Sequence, residues 1–346
     1  SSAASDVYKR QALGTRAFTQ LVDSTLPDAR GIASFNRPGT ITLLSSQGKI
    51  IQKLGPATRE KIKPGAMPPL VQNAFIAAED RRFFQHDGVD AWGIARAVVT
   101  NVRQGAVREG ASTITQQLAR IVFLSQDRTI TRKLKEAALA LKLERQLSKQ
   151  QILEQYLNYV YLGSGAYGVS DAAWIYFSKT TDQLTVAEAA LIAGLPPAPS
   201  IYSPLVNPDL ARKQRALVLD RMAQSGAISR VEAERASASP LALKPATPKY
   251  FNSSAPYFTT WVAQELPKLV TPEQLEVGGI KVRTSLNLDW QIKARNVIIK
   301  NAPFDTEGVM VSIEPGTGLV RVLSLIHISE PTRRYAISYA VFCLKK

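Results

Sequence analysis

From Pro68 to about Ser225, apolar residues recur almost without interruption at helical spacing. This pattern limits the fold more than any other feature of the chain. Pro68 and Pro69 stand where a helix can start, and Leu70, Ala74, Phe75 and Ala78 follow on one face. Ile114, Leu118, Ile121 and Val122 form a second stripe, and Leu134, Ala138 and Leu141 a third. Ser148 with Gln151 predicts a capping box opening a helix that carries Ile152, Tyr156 and Leu157. Thr185 with Glu188 repeats the device before Ala189, Leu191 and Ile192, and Gly194-Leu-Pro-Pro-Ala-Pro ends that helix. The expected class is therefore mainly α over residues 64–225.

The flanks read differently. Thr40-Ile-Thr-Leu-Leu and Lys49-Ile-Ile-Gln-Lys surround Ser45, Ser46, Gln47 and Gly48, which predicts a β-hairpin within a small N-terminal region, residues 12–63. A linker is expected over 226–278, rich in Ala, Ser and Pro from Ala236 to Pro248. Over 279–322, strand alternation after Gly279 and Gly308 surrounds a helix at about Leu288 to Asn301, with a turn at Pro315-Gly316-Thr317-Gly318. This reads as the α+β start of a truncated second domain.

Both ends are set aside from the fold argument. Residues 1–11 (SSAASDVYKRQ) and 323–333 (LSLIHISEPTR) resemble translated sequencing-library adapters, and 334–346 reads as their continuation. The one cysteine, Cys343, and His327 fall in the second segment, which leaves His86 as the single histidine between them. A Cys/His zinc site and a cysteine nucleophile are thereby excluded. The formal net charge is +15, and the chain stays strongly basic without its ends. Nucleic acid, an anionic membrane or a phosphorylated substrate would each satisfy such a charge. Among residues 1–346 there is no apolar run of about 18 residues, the length needed to cross a bilayer.

Three segments carry side chains suited to chemistry, and each has an ordinary alternative. Glu79 and Asp80 precede Phe83, His86 and Gly88. Neighbouring carboxylates on a helix point about 100° apart, so one can face a cleft while the other holds backbone; the alternative is a solvated helix end. Glu109-Gly110-Ala-Ser112-Thr113-Ile-Thr-Gln116-Gln117-Leu-Ala-Arg120 offers hydroxyls and free N–H groups at a helix start, a plausible anion seat or a plain N-cap. Arg132-Lys133-Leu-Lys135-Glu136 suits a pyrophosphate, or makes a surface ion pair worth about 0.3–0.5 kcal/mol.

Taken together and in order, these segments resemble the peptidoglycan glycosyltransferase family, the polymerase domains of bifunctional (class A) penicillin-binding proteins. The resemblance continues through Lys149-x-x-Ile-Leu-x-x-Tyr156-Leu-Asn158, Gly163, Gly168 and Tyr176-Phe177, and closes with Glu188 to Ser200. It covers about Pro68 to Met222. One departure is Arg120, where the family usually has lysine; the cation is kept, but a planar fork meets a phosphate differently.

The resemblance implies a lysozyme-like helical fold and a reaction that joins lipid II units with inversion, releasing a lipid pyrophosphate. Glu79 matches the family's catalytic base, and Glu136 its second carboxylate. Arg120, Arg132 and Lys133 match the pyrophosphate contacts. Asp80, Phe83, His86, Ser112, Thr113, Gln117, Tyr156 and Asn158 match cleft-shaping or substrate-binding positions. No protein-bound metal is required, with Mg²⁺ as an optional pyrophosphate bridge. Expected partners are lipid II, the nascent glycan strand, the membrane surface and moenomycin-type inhibitors, with no nucleic acid. The implied location is the outer, periplasmic face of the cell's inner membrane, the anchor lying outside this fragment. A linked transpeptidase would need a Ser-x-x-Lys nucleophile; the only such spacing, Ser46 to Lys49, falls in the hairpin turn, so cross-linking is not expected of residues 1–346.

A lysozyme-like glycan hydrolase is the nearest rival, yet it has no need of the cations at Arg120, Arg132 and Lys133. In a basic nucleic-acid module the same cations would stand beside carboxylates that repel phosphate chains. Trp92, Ile94, Val98, Val99 and Val102 form an apolar stretch that would either dip into the bilayer or pack in a core.

Overall fold

A computed structural model of the chain describes residues 32, 35, 40–55, 61–90, 92–93, 112–123, 130–271, 274, 279–303 and 306–327. Ile94, Val98, Val99, Val102, Glu109 and Gly110, together with residues 1–11 and 328–346, lie outside that set. The chain divides into two compact units, residues 1–35 with 58–249, and residues 36–57 with 250–346.

The first unit is helical among its described residues. Its helices are α1 (Pro69–Glu79), α2 (Ile114–Phe123), α3 (Ile130–Gln146), α4 (Lys149–Tyr159), α5 (Val169–Phe177), α6 (Val186–Ala193), α7 (Pro208–Gln224) and α8 (Arg230–Ala238). Local signals set several of the boundaries. Pro69 opens α1, Ser148 and Gln151 close a capping box on α4, and Thr185 and Glu188 do the same on α6. Helix α6 is apolar nearly all round, so it belongs in an interior, and Ala189 to Ala193 are buried there. It packs on α1 and α7, while α2 packs on α3 and α4. Phe75 of α1 meets Tyr156 of α4 edge-to-face, ring centroids 6.2 Å apart, joining the two sets within one core.

The segment expected to be a linker is packed, not free, over its first half. Ala233 and Ala236 of α8 and Leu241 are buried in the helical core. Beyond them the backbone of Lys244 and Ala246 donates to the carbonyls of Tyr176 and Ile175. Alanine-rich composition suits a flexible connector, and it equally suits a helix that must approach its neighbours closely.

The second unit holds the hairpin. Strands β1 (Ile41–Leu44) and β2 (Ile50–Leu54) pair antiparallel, with Ser46 in the turn between them, and β3 (Ile280–Arg283) lies parallel to β1 with Ile41 opposite Ile280. The hairpin thus shares a sheet with a strand from far along the chain. Helix α9 (Pro256–Glu265), helix α10 (Leu288–Asn301) and the antiparallel pair β4 (Glu307–Ile313) and β5 (Val320–His327) complete the unit. Leu43, Ile51, Phe258, Leu266 and Leu286 form its core. β5 continues through residues 323–327, whose alternating apolar pattern has strand character whatever its origin.

Two glycines separate strain from collision. Gly165 has φ +79 with open space around it, whereas Gly168, the N-cap of α5, has φ 91 and ψ 162, and a side chain there would strike the Asn158 carbonyl. Gly165→Ala should therefore cost about 1–2 kcal/mol. Gly168→Ala should cost roughly twice that or more, because its conformation is essentially glycine-only. Denaturant midpoints of the two variants check the order.

Candidate active site

Glu79 is the last residue of α1. Asp80 leaves the helix with φ −157 and ψ 77 while its N–H still reaches Ile76 O at 3.0 Å. That break sends the adjacent carboxylates apart. Glu79 Oε2 accepts a hydrogen bond of 2.7 Å from Gln117 Nε2 on α2. Gln117 Oε1 in turn accepts from the buried Tyr156 hydroxyl on α4 at 3.1 Å. The tyrosine therefore fixes which end of the amide faces Glu79.

Asp80 is buried and works on the backbone. Its Oδ2 accepts from Ile114 N in the first turn of α2 at 3.1 Å, and its carboxylate accepts from His86 Nε2 at 3.0–3.1 Å. His86 Nδ1 accepts from Gly88 N at 3.2 Å, which puts the ring proton on Nε2, facing Asp80. Gly88 has φ +90, and a Cβ would sit 2.9 Å from the Ala140 backbone, so the turn packs flat on α3 only with glycine there. Its carbonyl accepts from Thr113 Oγ1 at 2.6 Å. Thr113 and Gln116 form a reciprocal cap on α2, each backbone N–H bonding the other's side chain at 3.1 Å. Among the described residues, then, the anion at this helix start is the protein's own Asp80.

Behind the turn, the His86 carbonyl accepts from Lys149 Nζ. Lys149 also donates to Glu144 at 2.7 Å and lies 4.5 Å from the centroid of the buried Phe83 ring. Thr115 Oγ1 donates to the same Glu144 oxygen at 2.6 Å. Asn158 holds the backbone of Ile62 from both sides, accepting from its N–H and donating to its carbonyl. Phe83, His86, Thr113 and Asn158 thus position the site from behind.

The cleft in front has a volume of about 440 Å³ and is lined by Glu79, Asp80, Arg81, Arg82, Asp90, Ser112, Thr113, Gln117, Arg120, Pro196, Pro197, Tyr202, Gln214, Leu217 and Arg221, among others. Arg120 is exposed at its edge. The third segment reaches the cleft through Ser112, whose Oγ accepts from Lys133 Nζ at 2.8 Å. Lys133 pairs with Glu136 at 2.9 Å and Arg132 approaches the other Glu136 oxygen at 3.1 Å, with Glu136 itself only 1% exposed. The first two segments line the cleft, and the third touches it through the Lys133–Ser112 contact.

Glu79 is half-buried, and desolvation pushes its carboxyl pKa up. The Gln117 hydrogen bond opposes this, as do the charges of Arg221 and Arg120, while Asp80 adds to it. Burial, reinforced by the Glu79 charge, drives the Tyr156 hydroxyl well above its ordinary range, so it stays a donor. Arg221 was not marked by the sequence; a single cation on an amphipathic helix carries no local signal. Pro196 and Pro197, read as a helix stop and as part of the closing segment of the resemblance, form part of the wall.

A transglycosylase family model matches residues 47–223. The chain belongs to the transglycosylase family. Among relatives, penicillin-binding protein 1A of Neisseria lactamica is 43% identical over 275 residues, covering 80% of this chain and 34% of that protein. Penicillin-binding protein 1A of Aquifex aeolicus is 39% identical over 279 residues, covering 81% and 38%. The chain therefore spans a little over a third of the length of these family relatives. A crystal structure of penicillin-binding protein 1A from Haemophilus influenzae overlaps 77% of this chain and 29% of that one at 25% identity, with a TM-score of 0.39, too low to bear on the fold.

Removing the Asp80 carboxylate would strand a buried helix N–H and the His86 ring. Asp80→Ala should lower stability by about 2–4 kcal/mol, and Asp80→Asn, which keeps one acceptor, by less. Chemical denaturation followed by circular dichroism measures both.

Proposed function

We propose that this cleft polymerises lipid II into peptidoglycan glycan strands, with Glu79 as the general base. The acceptor sugar hydroxyl attacks the anomeric carbon of the donor with inversion. A new C–O bond forms there as the bond to the lipid pyrophosphate breaks, and the hydroxyl proton passes to Glu79. Pyrophosphate leaves as a stabilised anion, so cations serve it better than an acid does. The observation that carries this reading is the juxtaposition itself. A desolvated carboxylate, oriented by Gln117, shares one opening with Arg120 and with the Ser112 hydroxyl that bears Lys133. A hydrolase would find no use for that cation row.

Glu136 pairs with both Lys133 and Arg132, and Lys133 touches Ser112 in the cleft wall, which supports a part for these cations in receiving the pyrophosphate. A bridging Mg²⁺ would take its ligands from the substrate, since the Asp80 carboxylate is committed to His86 and Ile114 N. Lipid II and the growing strand are the proposed partners, and moenomycin-type inhibitors would compete for the same opening. On this reading the cleft works at the outer surface of the cell membrane, where lipid II would be met. No described helix is long and apolar enough to cross one.

Glu79→Gln should lower the polymerisation rate by about 10²–10⁴-fold. Because Glu79 has a raised folded-state pKa, its ionisation opposes folding as pH rises past the unfolded value. The same variant should therefore unfold no earlier than the unsubstituted chain at neutral pH. Glu136→Gln should cost both rate and stability, since it removes the buried negative charge that Lys133 and Arg132 share and turns an amide NH2 toward one of them. The acid limb of kcat/KM should lie above the ordinary carboxylate range, with activity lost as pH falls through it. Gel analysis of labelled lipid II products tests the rates; shortened strands in place of longer ones would mean hydrolysis.

A further inference from the structure

The C-terminal end of α7 grips the segment that presents Glu79. Arg221 Nη1 donates to the Ala78 carbonyl at 2.6 Å, one residue before the glutamate. One turn on, Gln224 Oε1 accepts from Arg81 Nη1 at 3.2 Å, so both sides of Glu79 are held from one helix. Gln224 is itself fixed by Asp220, which pairs with Arg230 of α8. Arg221 also lines the cleft, and its Nε is buried with no hydrogen-bond partner among the described residues.

We propose that Arg221 is a positioning residue for glycosyl transfer: it fixes the last turn of α1 and, through it, the orientation of the Glu79 carboxylate in the cleft. The inference rests on Glu79 being the base. Its guanidinium supplies what the α2 side alone does not, a cation on the α7 side of the carboxylate. The groups acting on Glu79 are Asp80 beside it, Gln117 and Arg120 from α2, the Tyr156 hydroxyl from α4 and Arg221 from α7. Arg81, Arg82 and Asp90 line the same cleft, the last two paired at 3.4 Å. Arg221 and Arg120 both pull the Glu79 carboxyl pKa down, against its burial.

The test compares Arg221→Gln and Arg221→Lys with the unsubstituted chain. Three readouts apply: lipid II polymerisation across pH, titration of the ¹³C-labelled Glu79 carboxyl (assigned by its loss in Glu79→Gln), and the unfolding midpoint. Arg221→Gln should lose about tenfold in kcat/KM near pH 6, recover toward alkaline pH, and shift the Glu79 titration to higher pH. Arg221→Lys should restore most of the profile, shifting both readouts the same way by less. A full rate in Arg221→Gln overturns the proposal, and so does a loss matched in full by Arg221→Lys with the Glu79 titration unmoved in both. Should Arg221→Gln not fold, an unmoved titration in Arg221→Lys overturns it equally. If the unsubstituted chain makes no glycan, the polymerase reading fails, and the carboxyl titration still decides whether Arg221 governs Glu79.

Discussion

The site depends on one buried carboxylate that does no chemistry in the proposed reaction. Asp80 ends α1, accepts from the first turn of α2 and anchors His86. These contacts set the angle between two helices whose side chains must meet, Glu79 from one and Gln117 from the other. An aspartate is well suited, because an ionised acceptor on helix N–H groups is favoured by both the hydrogen bond and the helix dipole. A longer side chain here would push the helix start away. The adjacency of Glu79 and Asp80 is thus a division of labour: the residue inside the helix faces the cleft, and the residue that breaks the helix holds the frame.

Electrostatics then set the state of the base. Burial pushes the Glu79 carboxyl pKa up. The Gln117 hydrogen bond and the charges of Arg221 and Arg120 pull the other way. These opposing pulls leave the pKa above the ordinary carboxylate value, the direction in which a carboxylate becomes a better proton acceptor. Around Glu136 the balance is reversed: the buried carboxylate pairs with both Lys133 and Arg132, so two cations share one anion. A leaving diphosphate would complete that balance.

What the sequence made legible was local. Pro69, the Ser148–Gln151 and Thr185–Glu188 boxes and the helix from Leu288 to Asn301 form as their residues imply, because each depends on partners within a few positions. Thr113 and Gln116 show the same spacing, and of the two readings open at that helix start, anion seat or plain N-cap, the cap is the one their side chains form. The remaining features depend on distant partners. Asp80 reaches across 34 positions to Ile114, and Arg221 across 143 to Ala78. The parallel pairing of β1 with β3 joins strands far apart in the chain, so neither turn chemistry nor periodicity could register it. Composition misled at α8, where small residues that pack tightly looked like a linker.

The most direct measurement is a crystal structure of the chain bound to a non-transferable lipid-pyrophosphate donor analogue and a short acceptor glycan. The account places the acceptor hydroxyl within about 2.6–3.2 Å of a Glu79 oxygen and the diphosphate against Arg120 and Lys133. A complex with the diphosphate seated elsewhere, or with Glu79 facing no hydroxyl, would contradict it.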